Sequence, residues 1–249
     1  MIQALIYIEI LAAAVVFVVL FFISAPYGRH VRKGWGPVVG ARYAWMIMEF
    51  PAFFIIAALV CTHLKQAGWF GVFFLGMWEV HYAYRVFVYP FLLSTPKKPF
   101  PLLLVLFALG FNTINGLVNG GSLIDMGVSY AKHDWILDPR FLAGIALFAS
   151  GFVIHVRSGA LLRRLRKTGK QEYLVPDTGL FGAVTNPNYL GEIVEWTGWA
   201  IATWSLAGFA FMLFTMANLI PRAFSNHRWY RNEFPSYPTK RRILIPFVW

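Results

Sequence analysis

Charge is what this chain has least of: Asp, Glu, Lys and Arg together make up 13% of its 249 residues. A soluble domain carries about a quarter, so an ordinary globular enzyme, a disordered segment and a nucleic-acid module are all disfavoured. Acids are scarcest, 11 against 22 basic residues, which leaves a formal charge of +11. Cysteine is absent apart from Cys61, which excludes an internal disulfide and any cysteine-based metal site. No G-x-G-x-x-G follows a strand pattern and no G-x-x-x-x-G-K-[ST] occurs, so a nucleotide has to be held without either phosphate loop. H-E-x-x-H and G-x-S-x-G are missing too, and with them the usual signals of zinc proteolysis and of an α/β-hydrolase nucleophile. No internal repeat or low-complexity linker divides the chain, so residues 1–249 read as a single domain.

What is present is apolar sequence, 58% of the chain with 24 Phe, 11 Tyr and 10 Trp. A bilayer core roughly 30 Å thick needs about 20 mostly apolar residues of helix. Ile2–Ser24, Ala44–His63, Trp69–Leu93, Phe100–Val118 and Phe141–Ile154 with its flanks meet or approach that length. The first has no basic residues ahead of it and no small-residue cleavage site, so it reads as a retained helix. Tyr189–Ile220, about 32 residues or about 48 Å of helix, is too long for one crossing. Ser205, near its middle, can cap a new helix that runs past Ile220.

The basic residues decide between six spans and seven. Lys and Arg accumulate in cytoplasmic loops. With seven spans, all but four of the 22 fall on one side, the exceptions being Lys65, Lys132 and Arg140 opposite and Arg85 within span three. The expectation is an all-α polytopic membrane protein of seven transmembrane helices, N-terminus outside and C-terminus cytoplasmic. Its longest polar connections are Asn119–Asp138 outside, ending in Asp138 as N-cap and Pro139 as first helical residue, and Leu161–Pro187 inside.

Ionisable groups inside apolar spans cost at least a few kcal/mol unless paired or solvated, and are functional candidates by default. Among them are Glu9, Glu49, His81, Arg85, Glu192 and Glu195. Glu9, near the outer end of span one, suits snorkelling or structural pairing. Glu49 lies two residues before the helix-loosening Pro51. His81, Arg85 and Tyr89 share a helical face, with Tyr82 beside Arg85; that face can serve a site or an Arg–Glu lock. Asn186 can cap a helix beginning at Pro187, and the free N–H groups of such an end bind phosphate. Glu192 and Glu195 share a face one turn further in. No His lies at ligand spacing from them, so no metal is expected.

At this point the residues resemble a known family, the membrane steroid 5α-reductases (3-oxo-5α-steroid 4-dehydrogenases), in a bacterial-type form. The similarity is strongest over 162–249, in Leu162-Arg163-Arg164-Leu165-Arg166-Lys167, Gly179-Leu180-Phe181, Asn188-Tyr189-Leu190-Gly191-Glu192-Ile193-Val194-Glu195-Trp196, Ala202-Thr203-Trp204-Ser205, Arg222-Ala223-Phe224 and Leu244-Ile245-Pro246-Phe247. Upstream it runs through Glu49-Phe50-Pro51, His81-Tyr82, Arg85-Val86-Phe87-Val88-Tyr89 and Asn115-Gly116. The resemblance implies a seven-helix fold, NADPH as hydride donor, and reduction of the 4,5 double bond of a 3-oxo-4-ene steroid. It makes Glu49 and Tyr82 the pair that holds the substrate ketone, and Arg166, Asn188, Glu192, Arg222 and Tyr230 cofactor-binding residues. His155 and Asn226 stand at two further such positions where the chain departs from the pattern, as does Met48, which is Gln in animal members.

The chemistry agrees. Hydride added to the β-carbon of an enone moves negative charge onto the carbonyl oxygen, which a preorganised donor in a dry site stabilises. Tyr82 offers a hydroxyl, and Glu49, buried and protonated, can donate directly or through it. The expected partners are a steroid-like lipid and membrane lipids, with no nucleic acid and no obligatory protein partner, in a bacterial inner membrane or, in a eukaryote, the endoplasmic reticulum. Sterol C14-reductases and isoprenylcysteine methyltransferases share a related helix opening, Arg-His-Pro-x-Tyr, where this chain has Thr185-Asn186-Pro187-Asn188-Tyr189. They, and a seven-helix receptor or transporter, are the competing readings.

Overall fold

A computed structural model describes residues 1–132, 134–168 and 173–249, without the side chains at 132 and 166–168. The architecture is helical. The long helices are α1 (Ile2–Phe22), α2 (Ala41–Thr62), α3 (Leu64–Ala83), α5 (Leu102–Lys132), α6 (Pro139–Thr168), α7 (Pro187–Thr203) and α8 (Leu206–Glu233). After α3 come one π-helical turn, Tyr84–Val88, and the short α4, Tyr89–Leu92. A two-stranded antiparallel ribbon, β1 (Val38–Gly40) on β2 (Pro99–Pro101), ties the loop before α2 to the start of α5.

Five helices among the described residues are long and apolar enough to cross a membrane: α1, α2, α5, α6 and α8. α7 falls short because it has 17 residues, including Glu192 and Glu195. α3 contains a break at Gly68, whose φ of 61° and ψ of −165° only glycine adopts easily. The unbroken part of α3 therefore begins at Trp69, where the apolar run Trp69–Leu93 also begins.

The division of the last apolar stretch is as predicted. α7 stops where Trp204 turns left-handed at φ 45°, and Ser205 Oγ accepts the Gly208 N–H at 3.0 Å to open α8. Asp138 likewise precedes Pro139 and accepts the Arg140 N–H at 2.8 Å. Three expectations need correction. Asn119–Asp138 is not a polar connection: α5 continues to Lys132, because Asn119 is buried, donates to Asn115 at 2.8 Å and accepts from Trp199 Nε1 at 3.0 Å. A polar residue satisfied inside the bundle does not end a helix. The inner connection is shorter than Leu161–Pro187, since α6 runs to Thr168. Glu9 does not snorkel; it is 1% exposed against α5 and α8, and neither carboxylate oxygen meets a described partner.

The core is aromatic. Trp78, Trp196, Trp199, Phe74 and Phe211 interlock, with ring centroids 4.4–6.3 Å apart where they meet. α6 and α7 are the closest-packed antiparallel pair, and glycines make that possible. A Cβ at Gly144 or Gly151 would strike the backbone at Ala202 or Glu195, and one at Gly191 or Gly198 would strike His155 or Phe148. Between apolar helices with no hydrophobic drive to associate, small residues let the backbones meet. Here they bring His155 of α6 against the turn of α7 that carries Glu192 and Glu195. The C-terminal tail then clasps the start of α7, where Thr185 N–H donates to Arg242 O at 2.8 Å and Asn186 Nδ2 to Ile243 O at 3.1 Å.

Candidate active site

A single cavity of about 640 Å³ runs between the helices. Its apolar half is built by α1, α5 and α8, with Val15, Val19, Phe107, Phe111 and Phe211 on its wall. Its polar half is built by α2, α3, α6, α7, the C-terminal half of α8 and the loop after α1. Glu49, Tyr82, His155 and Asn188 line it, as do Glu192, Arg222, Asn226 and Tyr230. Arg166 stands on α6, and its side chain is not described.

Glu49 sits on α2 just before Pro51, and Asn112 Nδ2 donates to the neighbouring Met48 carbonyl at 2.5 Å. Glu49 is not the free acid expected from the sequence. Arg85 Nε donates to its Oε1 at 3.1 Å, and Arg85 Nη2 donates to the same oxygen. The guanidinium rests 4.4 Å from the Trp45 ring and 5.3 Å from Tyr89. The π turn at Tyr84–Val88 replaces the uniform helical face expected for His81, Arg85 and Tyr89. Such a turn inserts one residue into a helix and rotates the side chains beyond it. Tyr82 stacks on Trp78 at 4.9 Å, and no described residue bonds its hydroxyl, which is left for a ligand.

Next to this group, with the His155 ring 5.9 Å from His81, His155 Nδ1 lies 3.2 Å from Asn188 O and 3.4 Å from Glu192 Oε2, so these three predicted residues form one cluster. Arg222 donates to Tyr189 OH at 3.1 Å and lies 4.4 Å from the Tyr27 ring. Asn226 donates to Asn186 Oδ1 at 3.0 Å. Asn186 opens α7 as predicted, but its side chain does not cap the helix; it turns away to Ala223 O and Ile243 O. The N-terminus of α7 is thus left without a side-chain cap, beside the cavity.

Sequence reasoning missed the loop after α1, where Arg29 counted only as topological charge and His30 was not singled out. Arg29 lies 4.5 Å from the Tyr230 ring and 4.9 Å from Trp229, with Nη1 buried and without a described partner. His30 Nε2 is 3.1 Å from Asn226 Oδ1. Burial holds this imidazole below the ordinary histidine range, against the hydrogen bond to Asn226. An arginine two residues after Tyr27, opening the basic run Arg29–Lys33, was the available signal.

These residues suit a dinucleotide. The orphaned Arg29 Nη1, the Arg222 guanidinium and the uncapped α7 terminus suit phosphates, Tyr27 and Tyr230 carry those two arginines on their faces, and Glu192 with Asn188 suits an amide.

Comparison with known proteins gives the family. The sequence pattern of the family described as 3-oxo-5-alpha-steroid 4-dehydrogenase matches residues 98–249. The chain belongs to that family. It is 40% identical to bovine 3-oxo-5-alpha-steroid 4-dehydrogenase 1 over 253 residues, covering 100% of this chain and 97% of the relative. It is 37% identical to the Arabidopsis thaliana steroid 5-alpha-reductase DET2 over 238 residues (93% and 90%), and 40% identical to human 3-oxo-5-alpha-steroid 4-dehydrogenase 2 over 225 residues (89% and 87%). Membership separates the chain from the methyltransferase, C14-reductase and receptor readings. The match also reaches α1, where the motifs gave little resemblance.

Proposed function

We propose that this protein reduces the 4,5 double bond of 3-oxo-4-ene steroids with NADPH, as a single seven-span membrane domain whose N-terminus is outside and whose C-terminus is cytoplasmic. Its relatives carry names for this reaction. The observation that carries the reading is one cavity whose wall holds an unbonded tyrosine hydroxyl and a paired carboxylate beside an apolar compartment, with arginines and an uncapped helix end facing the rest. The two helices added to the five apolar ones are α3 with its π turn, and α7. At about 1.5 Å per residue the 17 residues of α7 reach about 26 Å, at the short end of what spans a bilayer.

Arg222, Arg29 and Tyr230 hold the cofactor at the cytoplasmic end, with Arg166 expected beside them. Asn188 and Glu192, steadied by His155, hold its amide end. When bound, the reduced nicotinamide supplies a hydride to the β-carbon of the enone. Tyr82 donates its hydroxyl to the ketone oxygen and stabilises the negative charge that arrives there. Glu49, fixed by Arg85, anchors the polar end of the steroid compartment next to that hydroxyl. The aromatic packing around Trp78 and Trp196 keeps water away, which strengthens the tyrosine's hydrogen bond.

The test is NADPH oxidation by purified protein that depends on an added 3-oxo-4-ene steroid, with the reduced carbon located by NMR. Tyr82→Phe and Glu49→Gln should each lower kcat/KM by roughly 10²-fold with folding preserved. Unchanged turnover in both variants would sink the assignment.

A further inference from the structure

His81 and Glu195 have no part in the reduction as proposed, yet they form a built acid–base pair. Both are enclosed, at 2% and 0% exposure. His81 Nδ1–H donates to Glu195 Oε1 at 2.8 Å, while Glu195 Oε2 has no partner among the described residues. A carboxylate with one donor in a dry interior is costly unless its partner carries a positive charge or it takes the proton itself. The pair is therefore poised to take up one proton: with Nδ1–H on the Glu195 carboxylate Nε2 is bare, and a proton gained at Nε2 is balanced as the Nδ1 proton passes to Glu195. With Nδ1 committed to Glu195, Nε2 is the nitrogen that His81 has left for the cavity it lines. A carboxylate behind an imidazole fixes the ring's tautomer and direction. Trp196, meeting the ring edge-on at 4.7 Å, holds it in place.

Position makes the pair useful. His81 directly precedes Tyr82, and their ring centroids are 5.1 Å apart. The α-carbon of a ketone is bonded to the carbonyl carbon, so a group that moves its proton has to stand beside the group that holds the oxygen. Glu192, His155, Glu49 and Arg85 are the other charged or titratable side chains at this end of the cavity. His155 is engaged with Glu192, and Glu49 with Arg85, which leaves His81 as the imidazole next to Tyr82.

We propose that His81, oriented by Glu195, enolises 3-keto steroids in this cavity, so that the site catalyses proton exchange at the α-carbon with no redox step. The proposal rests on the reading of Tyr82 as the ketone's donor. In the saturated ketone the α-C–H bond breaks, its proton passes to Nε2, and the electron pair moves onto the oxygen held by Tyr82. Return of a proton from Nε2 re-forms the C–H bond. In the reduction, that same return converts the enolate left by hydride addition into the saturated ketone. Glu195 is a positioning residue, because it touches only the imidazole.

The experiment uses the full chain in nanodiscs and deuterated buffer with a saturated 3-keto steroid, once without nucleotide and once with NADP⁺. Deuterium at the α-carbon is read by NMR, and steroid affinity by tryptophan quenching. The wild-type protein should accelerate exchange over buffer in at least one condition. His81→Gln should slow it about 10²-fold or more, the usual worth of a positioned acid–base group, with affinity kept. Glu195→Gln should slow it in the same direction. Wild-type exchange no faster than buffer in both conditions, or a wild-type rate in His81→Gln, overturns the proposal. If His81→Gln does not fold, a wild-type rate in Glu195→Gln does so instead. A protein that reduces the enone without catalysing exchange refutes this inference alone. One that exchanges but oxidises no NADPH in response to steroid refutes the reduction alone.

Discussion

Replacing Arg85 with Met leaves Glu49 buried without its cation. The two side chains are 9% and 8% exposed, and both guanidinium donors fall on one carboxylate oxygen. Removing one partner of a buried pair costs about 3–5 kcal/mol, because the other charge stays desolvated. The lost contact with Trp45, worth about 0.5–2 kcal/mol, acts in the same direction. Glu49→Gln strands the guanidinium and should cost a similar amount. The double variant Arg85→Met/Glu49→Gln removes both charges, so its cost should fall below the sum of the singles by a coupling of up to about 3 kcal/mol. Unfolding free energies of the three variants in mixed micelles, set against wild type, close the cycle. Activity separates the roles, since the double variant should be folded yet remain slow for want of the carboxylate. Additive costs, or an Arg85→Met protein as stable as wild type, would refute the pairing.

Other outcomes rest on the same geometry. Gly151→Ala and Gly198→Ala should each cost about 1–3 kcal/mol from overpacking and lower kcat by shifting Glu195 and His155, read by thermal inactivation and turnover; Gly76→Ala, with open space at its Cβ, is the neutral control. Arg29→Gln and Arg222→Gln should raise the KM for NADPH about tenfold or more, from the loss of a charged hydrogen bond worth about 1.5–3 kcal/mol, and leave the steroid KM unchanged. Charge reversal at Arg166 should raise the same KM. For His30, whose folded value is depressed, the unfolded chain takes up a proton first. The stability it contributes is complete above about pH 6.5 and is lost as pH falls through the lower folded value. His30→Gln should flatten that acid limb of a Tm–pH profile.

What could be read from the sequence was whatever is local. Ser205 as a cap and Pro139 and Pro187 as first helical residues are short-range chemistry, and each stands where expected. The cavity also gathers every predicted site residue whose side chain is described, because polar groups in apolar helices have nowhere else to point. What could not be read was partnership across the bundle. Glu49 and Arg85 are 36 positions apart and His81 and Glu195 are 114 apart, so spacing offered several partners for each acid and no means of choosing. Asn119 looked like loop because its acceptor role depends on Trp199, 80 positions away. The π turn left no mark in Tyr84–Val88 that a regular helix would not show. The glycine heptads, Gly144 with Gly151 and Gly191 with Gly198, were legible but went unread; each pair recurs on one helical face, the mark of two helices in backbone contact.

The scarcity of charge and the place of the chemistry have one cause. In lipid each buried acid needs its own neutralising partner, and this chain supplies a different one each time: a guanidinium for Glu49, a shared imidazole proton for Glu195, and His155 for Glu192. These partners stand on α3 with its π turn and on α6, the helices facing α2 and α7. Helices can bring such short polar contacts together only where their backbones approach, and the α6–α7 glycines create one such place. The seam that satisfies the acids is thus a rigid, dry wall with oriented donors, which is what stabilising charge on a ketone oxygen requires. Glu9 and Glu79 break the pattern: the carboxylate oxygens of both are buried, yet no described side chain meets them. The rule therefore requires that Glu9 be held uncharged, and Glu9→Gln should leave stability and turnover near wild type where Glu49→Gln and Glu195→Gln do not.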